Sequence, residues 1–513
     1  MSVPHVGDQA PADRPASGAD GETGRNEGHR SARPRQAAAG APRPGLALLL
    51  SLAMAQFMVV LDFTIVNVAL PSIQHDFHVA TTTLQWLISA YAVAFGGFLL
   101  LGGRLADVNG RARLYRIGLV VFTAASISGG LAVEPGLLIA SRVVQGIGAA
   151  MLAPAGLSLL ITSWPGEQER SRALGTYGAV VSAGFASGAV LGGLLVEASW
   201  RLVFFVNVPI GITLLAASVR LLPPDPARSG RQLDVPGAVT VTAGVALLVL
   251  AITRAGDTLQ VTQPLLLGAA AIVLLAAFAV RERRAREPLL DLALLRDRGI
   301  AGANLTLITV GAFNAGQVLL TTLYLQEERG LSPVLTGLCF LPQAAGAFAL
   351  SGPAGRFVPA LGARRALAIA LSLALLALAG TATAVLAGSL PGLLAAQFAI
   401  GVAARLSQVA STLAGTRGPV AARSEGTASA LLTATRQCGS ALGVAIVSAV
   451  LVSVHGAAYH RTAVAMFIAA GFALAGLLAT MVMPPALPRA AEPRPQPEPE
   501  PHHLFRHSAG GIP

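Results

Sequence analysis

Gly103-Arg104-Leu105-Ala106-Asp107-Val108-Asn109-Gly110-Arg111-Ala112-Arg113 is the segment on which the reading of this 513-residue chain turns. It is short, polar and arginine-rich, carries a glycine at its start and another seven residues on, and lies between two apolar runs each long enough to cross a bilayer. A simple membrane anchor has no use for such a connector. A protein that closes and reopens one side of a membrane does, because glycines allow tight backbone turns and Asp107 offers an acceptor to a helix N-terminus or to arginine.

Composition agrees with a membrane setting. Apolar residues make up 54% and charged residues 12%, with a mean hydropathy of +0.65. About twenty apolar residues are needed per crossing helix. The runs predict fourteen spans, near 46–70, 83–103, 114–133, 136–162, 173–196, 201–222, 235–253, 263–280, 300–325, 334–355, 365–387, 390–412, 427–453 and 462–483. The runs are continuous rather than alternating, which argues for helices and against a strand barrel. The fold class is therefore an all-α polytopic membrane protein.

The net charge of +11 invites a nucleic-acid reading, and its distribution rejects one. Every basic residue is arginine, and they crowd into one set of loops, Arg281, Arg283, Arg284, Arg286, Arg296 and Arg298 among them. The opposite loops hold only Arg201, Arg254, Arg329 and Arg461. That asymmetry predicts a multi-pass cytoplasmic (inner) membrane protein with both termini in the cytoplasm. Residues 1–45, rich in Ala, Gly, Pro and Arg, read as a disordered cytoplasmic segment without a cleavable signal, and 484–513 as an extended, disordered tail. Cys339 and Cys438 read as small packing residues, with no disulfide or metal framework.

The opening segment has an echo. Gly355-Arg356-Phe357-Val358-Pro359-Ala360-Leu361-Gly362-Ala363-Arg364-Arg365 keeps the glycine spacing and the arginines at the second and last positions, and follows the tenth span as the first copy follows the second. Duplication of this kind implies a six-helix half over 46–222, two linking helices over 223–299 and a second half over 300–483, with a central site between the halves.

With the repeat in place, the chain resembles the major facilitator superfamily, and within it the fourteen-span drug:proton antiporters, over roughly 46–483. Leu61-Asp62-Phe63-Thr64-Ile65-Val66-Asn67-Val68-Ala69-Leu70-Pro71 resembles the first-span signature, and Arg142-Val143-Val144-Gln145-Gly146-Ile147-Gly148-Ala149-Ala150 the fourth-span motif. Trp200-Arg201 through Asn207-Val208-Pro209-Ile210-Gly211 matches the sixth span, and Arg436-Gln437 with Gly439 and Gly443 the thirteenth. Two departures stand out. The fifth-span packing motif keeps Gly188, Gly192 and Gly193 but has Ala189 where the family has proline, and Val108 and Ala112 replace residues that are usually basic.

Asp62 is the one carboxylate placed well inside a span, where an isolated charge costs at least ~2.5–3.5 kcal/mol. It reads as the proton-coupling acid; the alternative is a residue that braces a helix. Arg142 is its natural partner: counted from the outer ends, the two lie about 12 and about 9 Å deep at 1.5 Å per residue. The pair reads as a proton-coupling switch, with a permanently paired structural bridge as the alternative. In the resembling fold both of their helices line the cavity. The resemblance also implies that Gly103, Asp107, Gly110, Arg111 and Arg113 form a cytoplasmic gate. Asn314, Gln317 and Thr321 make a polar stripe that faces either the cavity or another helix. Arg405 and Arg436 should face protein or water, and Asn67 and Gln145 complete the candidate cavity.

The expected function is proton-coupled export of lipophilic drugs, antibiotics or secondary metabolites by alternating access, with the proton gradient as energy source and no cofactor. The missing proline leaves a nutrient importer or symporter as the alternative. A chain without lysine has no Walker sequence, which argues against ATP. No clustered histidines, paired acids or metal-ligand spacing within the spans suggests an enzyme.

Overall fold

The computed structural model describes residues 45–164, 166–222, 225, 234–257, 262–285, 289–290, 292–416 and 425–483. The polar ends expected at 1–45 and 484–513 lie outside the described residues, Gly45 excepted. Within them every regular element is helical. An apolar chain in hydrocarbon must satisfy its own backbone N–H and C=O groups, and a helix does so within each segment.

The first group comprises Leu46–Phe77 (α1), Trp86–Asn109 (α2), Arg111–Gly130 (α3), Pro135–Ser163 (α4), Glu167–Ala198 (α5) and Asn207–Leu221 (α6). Val235–Asp257 (α7) and Thr262–Arg284 (α8) follow. Arg298–Leu323 (α9) opens the second group, continued by a π-helical turn at Tyr324–Glu328. Pro333–Cys339 (α10), Leu341–Ala349 (α11), Ala354–Leu361 (α12), Ala363–Leu386 (α13), Leu390–Thr416 (α14), Glu425–Ser453 (α15) and Ala458–Ala479 (α16) complete it.

Among the described residues, 12 helices are long and apolar enough to cross a membrane, or 13 if the bent α10–α12 segment is one span. The sequence predicts fourteen. The difference falls on α3, whose first two turns carry Arg111, Arg113 and Arg116 and whose last holds Ser128, Gly129 and Gly130, diluting its hydropathy. The tenth span is not straight either: it bends by 60° before α12, at Pro353, whose ring removes a backbone donor and crowds the preceding turn.

The two glycine-punctuated segments are largely helix rather than loop. α2 runs through Gly103 to Asn109, and α12 runs through Gly355 to Leu361. Only the second glycine of each copy turns the chain. Gly110 has φ 97° and ψ 137°, and Gly362 has φ 82° and ψ 144°, so the repeat is built as the same left-handed corner twice. Residues with a Cβ are strained there.

Packing repeats as well. α1 lies on α5, α2 on α4 and α3 on α4; in the second group α9 lies on α15, α11 on α14 and α13 on α14. The groups meet along two seams, α2 against α15 and α5 against α10. Small residues permit the contact, as membrane helices without a hydrophobic drive between them require. Gly193 lies against Pro333 and Val334, and Gly337 against the Ala189 carbonyl. α7 covers the first seam. Val249 packs with Ala92 and Val93 of α2 and with Ala441 and Ala445 of α15, and Gln85 Nε2 donates to Thr253 Oγ1 at 2.6 Å.

Candidate functional site

Asp62 sits midway along α1, which passes through the first helix group with its carboxylate wholly buried. α4 brings Arg142 and, one turn on, Gln145 to the same point, since residues three apart share a helix face. Arg142 Nη1 meets Asp62 Oδ2 at 2.6 Å. Gln145 Nε2 and Asn207 Nδ2 donate to Asp62 Oδ1 at 3.0 and 2.8 Å. Arg142 places two further donors inside the cluster, Nε on the Leu87 carbonyl at 2.9 Å and Nη1 also on Gln145 Oε1 at 2.8 Å. Its guanidinium lies 4.4 Å from the centroid of the Tyr91 ring. Gln145 Nε2 reaches Ser126 Oγ at 2.8 Å as well.

Five helices (α1, α2, α3, α4 and α6) thus converge on one charge pair. Desolvating two ions is costly, and only close geometry with further hydrogen bonds repays it. Asp62 receives three donors, one each from Arg142, Gln145 and Asn207. Two polar atoms of the shell are left without partners, Asn207 Oδ1 and the Tyr91 hydroxyl. The pair is sealed inside the first group, whereas the resembling fold places its helices along a cavity; Arg142 is 1% exposed and Asp62 0%.

The other expected residues fall elsewhere. Asn67 is buried but turned back on its own helix, donating to the Phe63 carbonyl at 2.7 Å. The stripe on α9 faces neighbouring helices. Gln317 Nε2 donates to Gln343 Oε1, and Gln343 Nε2 to Asn314 Oδ1, both at 3.2 Å. Gln397 Nε2 of α14 donates to Thr321 Oγ1 at 3.3 Å. Arg405 is half-buried on α14, with Nη1 3.4 Å from Gln408 Oε1 and Nη2 directed at Gly178 of α5. Arg436 is half-buried on α15, and among the described residues neither arginine forms an ion pair with a carboxylate.

Gly188 and Gly192 bring α5 onto Leu61, Thr64, Ile65 and Val68 of α1, beside Asp62. At the gate segment, the side chain of Asp107 lies outside the described residues. The N-terminus of α3 is capped by Asp225: the Ala112 and Arg113 N–H groups donate to its two oxygens at 2.8 and 2.9 Å. At the opposite end of the group Asp76 accepts from Trp200 Nε1 at 2.9 Å and from Arg201 Nη1 at 3.1 Å.

Asn207, Ser126, Tyr91 and Asp225 were not singled out from the sequence. Only Asn207 carried a signal, its place in the sixth-span segment. Outside the spans, Asp234 has a carboxyl that burial pushes up, but the Arg281 guanidinium and the Gly237 N–H together hold it below the ordinary carboxylate range.

The Major Facilitator Superfamily family model matches this chain at residues 52–443 and 305–509. The chain is 41% identical to the puromycin resistance protein of Streptomyces alboniger over 424 residues, 80% of this chain and 82% of that protein. It is 38% identical to the cephamycin export protein of Amycolatopsis lactamdurans over 457 residues, 85% and 91% of the two. Among solved structures it is similar to a bacterial homolog of the human lysosomal transporter Spinster, with a TM-score of 0.60, 16% identity and coverage of 86% of this chain and 97% of that one. At that identity the likeness concerns the fold alone.

Proposed function

This chain belongs to the Major Facilitator Superfamily, and from that premise we propose that it exports antibiotics or other lipophilic, drug-like molecules in exchange for protons. The names of its curated relatives support export, and one structural observation carries the coupling: a buried Asp62–Arg142 pair held by five helices of one group. The working chain has two six-helix halves, 46–222 and 300–483, joined by linking helices within 223–299, for fourteen spans in a bacterial cytoplasmic membrane. Its arginine-rich end faces the cytoplasm.

The chemistry follows from the shell. Protonating Asp62 cancels the charge that holds Arg142, and a protonated oxygen becomes a donor that Gln145 and Asn207 cannot serve as they stand. Asn207 has an answer within reach, because turning its amide over presents the now unpartnered Oδ1 to the new hydroxyl. α6 and α4 then carry changed forces into the bundle, and the tight α1–α5 contact passes them to the α5–α10 seam. A proton moving inward contributes about 2.3 kcal/mol per 100 mV, so no nucleotide is needed.

Ala189 in place of proline favours the importer alternative; the relatives named for resistance and export weigh against it. Accumulation of a panel of lipophilic antibiotics in cells with and without the gene separates the two. Export predicts lower accumulation with the gene, restored by a protonophore. Higher accumulation with the gene would establish the importer, and equal accumulation of every compound would count against transport of this class.

A further inference from the structure

We infer that Asp234 and Glu282, buried side by side where α7 begins and α8 ends, form a second proton-binding site that fastens the linking helices together. Asp234 precedes α7 and caps it, accepting from the Gly237 N–H at 3.0 Å. Arg281 loads the same oxygen twice, Nε at 2.8 Å and Nη2 at 2.7 Å on Oδ1. Glu282, one residue further on α8, accepts from the Leu290 N–H through Oε2 at 3.1 Å. Asp234 is 8% exposed and Glu282 4%.

Each carboxyl has one oxygen left over. Asp234 Oδ2 and Glu282 Oε1 are buried and without a hydrogen-bond partner, and they converge. Both lie within 3.2 Å of the point a Cβ on Gly237 would occupy, so the glycine leaves them room to approach. Two buried carboxylates facing one another with bare acceptors repel, and an unpaired buried acceptor keeps the full penalty of its lost hydration. One proton removes both penalties. Taken up from solvent, it converts the Glu282 carboxylate to an acid whose Oε1–H donates to Asp234 Oδ2. Asp234 stays ionised: burial pushes its carboxyl up, but the Arg281 guanidinium and the Gly237 N–H together hold it below the ordinary range. Among the described residues the other cation facing the pair is Arg104, on the gate-bearing end of α2; Arg283 and Arg284 are exposed.

Position gives the proton its consequence. Ala238, one residue beyond Gly237, packs with Leu101 of α2 and with Leu289, beside the Glu282 contact. Losing the proton charges the joint between α7 and α8, where the linking pair is docked on α2. The site does not rest on what the protein transports.

The test is infrared spectroscopy of the purified full-length protein in lipid nanodiscs, with thermal unfolding followed in parallel between about pH 5 and about pH 9. Wild type should show a protonated-carboxyl C=O band that E282Q lacks. Because the folded state holds a proton that the unfolded chain has released, wild-type stability should be full at low pH and fall as pH rises. E282Q keeps a donor towards Asp234 Oδ2 at every pH, so its unfolding midpoint should not show that fall. If E282Q does not accumulate, D234N supplies the check, since its amide donates to Glu282 Oε1 and should abolish the same band. A band unchanged in either variant, or an equal pH slope in wild type and E282Q, overturns the site.

Discussion

Asp62 takes donors from α4 and α6 and sees no water, so every change at this point alters an internal balance. Arg142→Gln leaves a buried carboxylate uncompensated and should destabilise the protein by about 3–5 kcal/mol, read as a large fall in unfolding midpoint in detergent. Adding Asp62→Asn to it should recover much of that loss; a double variant as unstable as the sum of the singles would mean that the pair is not coupled. Asn207→Ala removes one of three donors and should cost about 1–3 kcal/mol. At Asp234 the carboxyl held below its ordinary range contributes stability that is present above about pH 4 and lost as pH falls further. Arg281→Gln should therefore flatten the acid limb of the stability curve, and an unaltered limb would contradict the assignment. Asp62 and Arg142 are legible in the sequence because a charge inside an apolar run is too costly to stand there without a partner. Asn207, Ser126 and Tyr91 are not, since uncharged polar side chains are common in such runs. Nor does anything local say that a residue 145 positions away completes the shell.

Helices were the most readable part of the chain, because apolar run length and crossing length are nearly the same quantity. Their interruptions were harder to see. Pro353 breaks the tenth span, although a proline inside a membrane helix is often accommodated by its neighbours. The gate segment shows how composition and conformation part: its polar residues suggested a loop, yet α2 continues to Asn109 and the turn is made by Gly110 alone. That difference is measurable. Gly110→Ala and Gly362→Ala place a Cβ where φ is positive, and each should cost about 1–2 kcal/mol. At Gly110 the new atom also meets the Asp225 side chain that caps α3. Gly103→Ala, helical and with open space around it, should be neutral or up to about 1 kcal/mol stabilising. Equal losses at Gly103 and Gly110 would mean that the first glycine is a turn after all.

The two helix groups share one packing scheme and meet along seams that the repeat relates, which is the architecture a rocking motion needs. The paired glycine corners at Gly110 and Gly362 were legible from an eleven-residue repeat. The place of α7 over the α2–α15 seam was not, because a uniformly apolar helix does not advertise which neighbour it faces. The second seam rests on glycines, so Gly337→Leu should keep α10 from the Ala189 carbonyl, suppressing transport while leaving most helix content intact by circular dichroism. Transport at the wild-type rate would show that this contact is dispensable. The proposal that Asp62 carries the exchanged proton can be tested in inverted membrane vesicles energised to an acidic interior, comparing wild type with Asp62→Asn across lipophilic antibiotics and dyes. Particular compounds should alkalinise the lumen through the wild-type protein, and Asp62→Asn should abolish this response; the same alkalinisation in the variant would mean that the proton travels by another group.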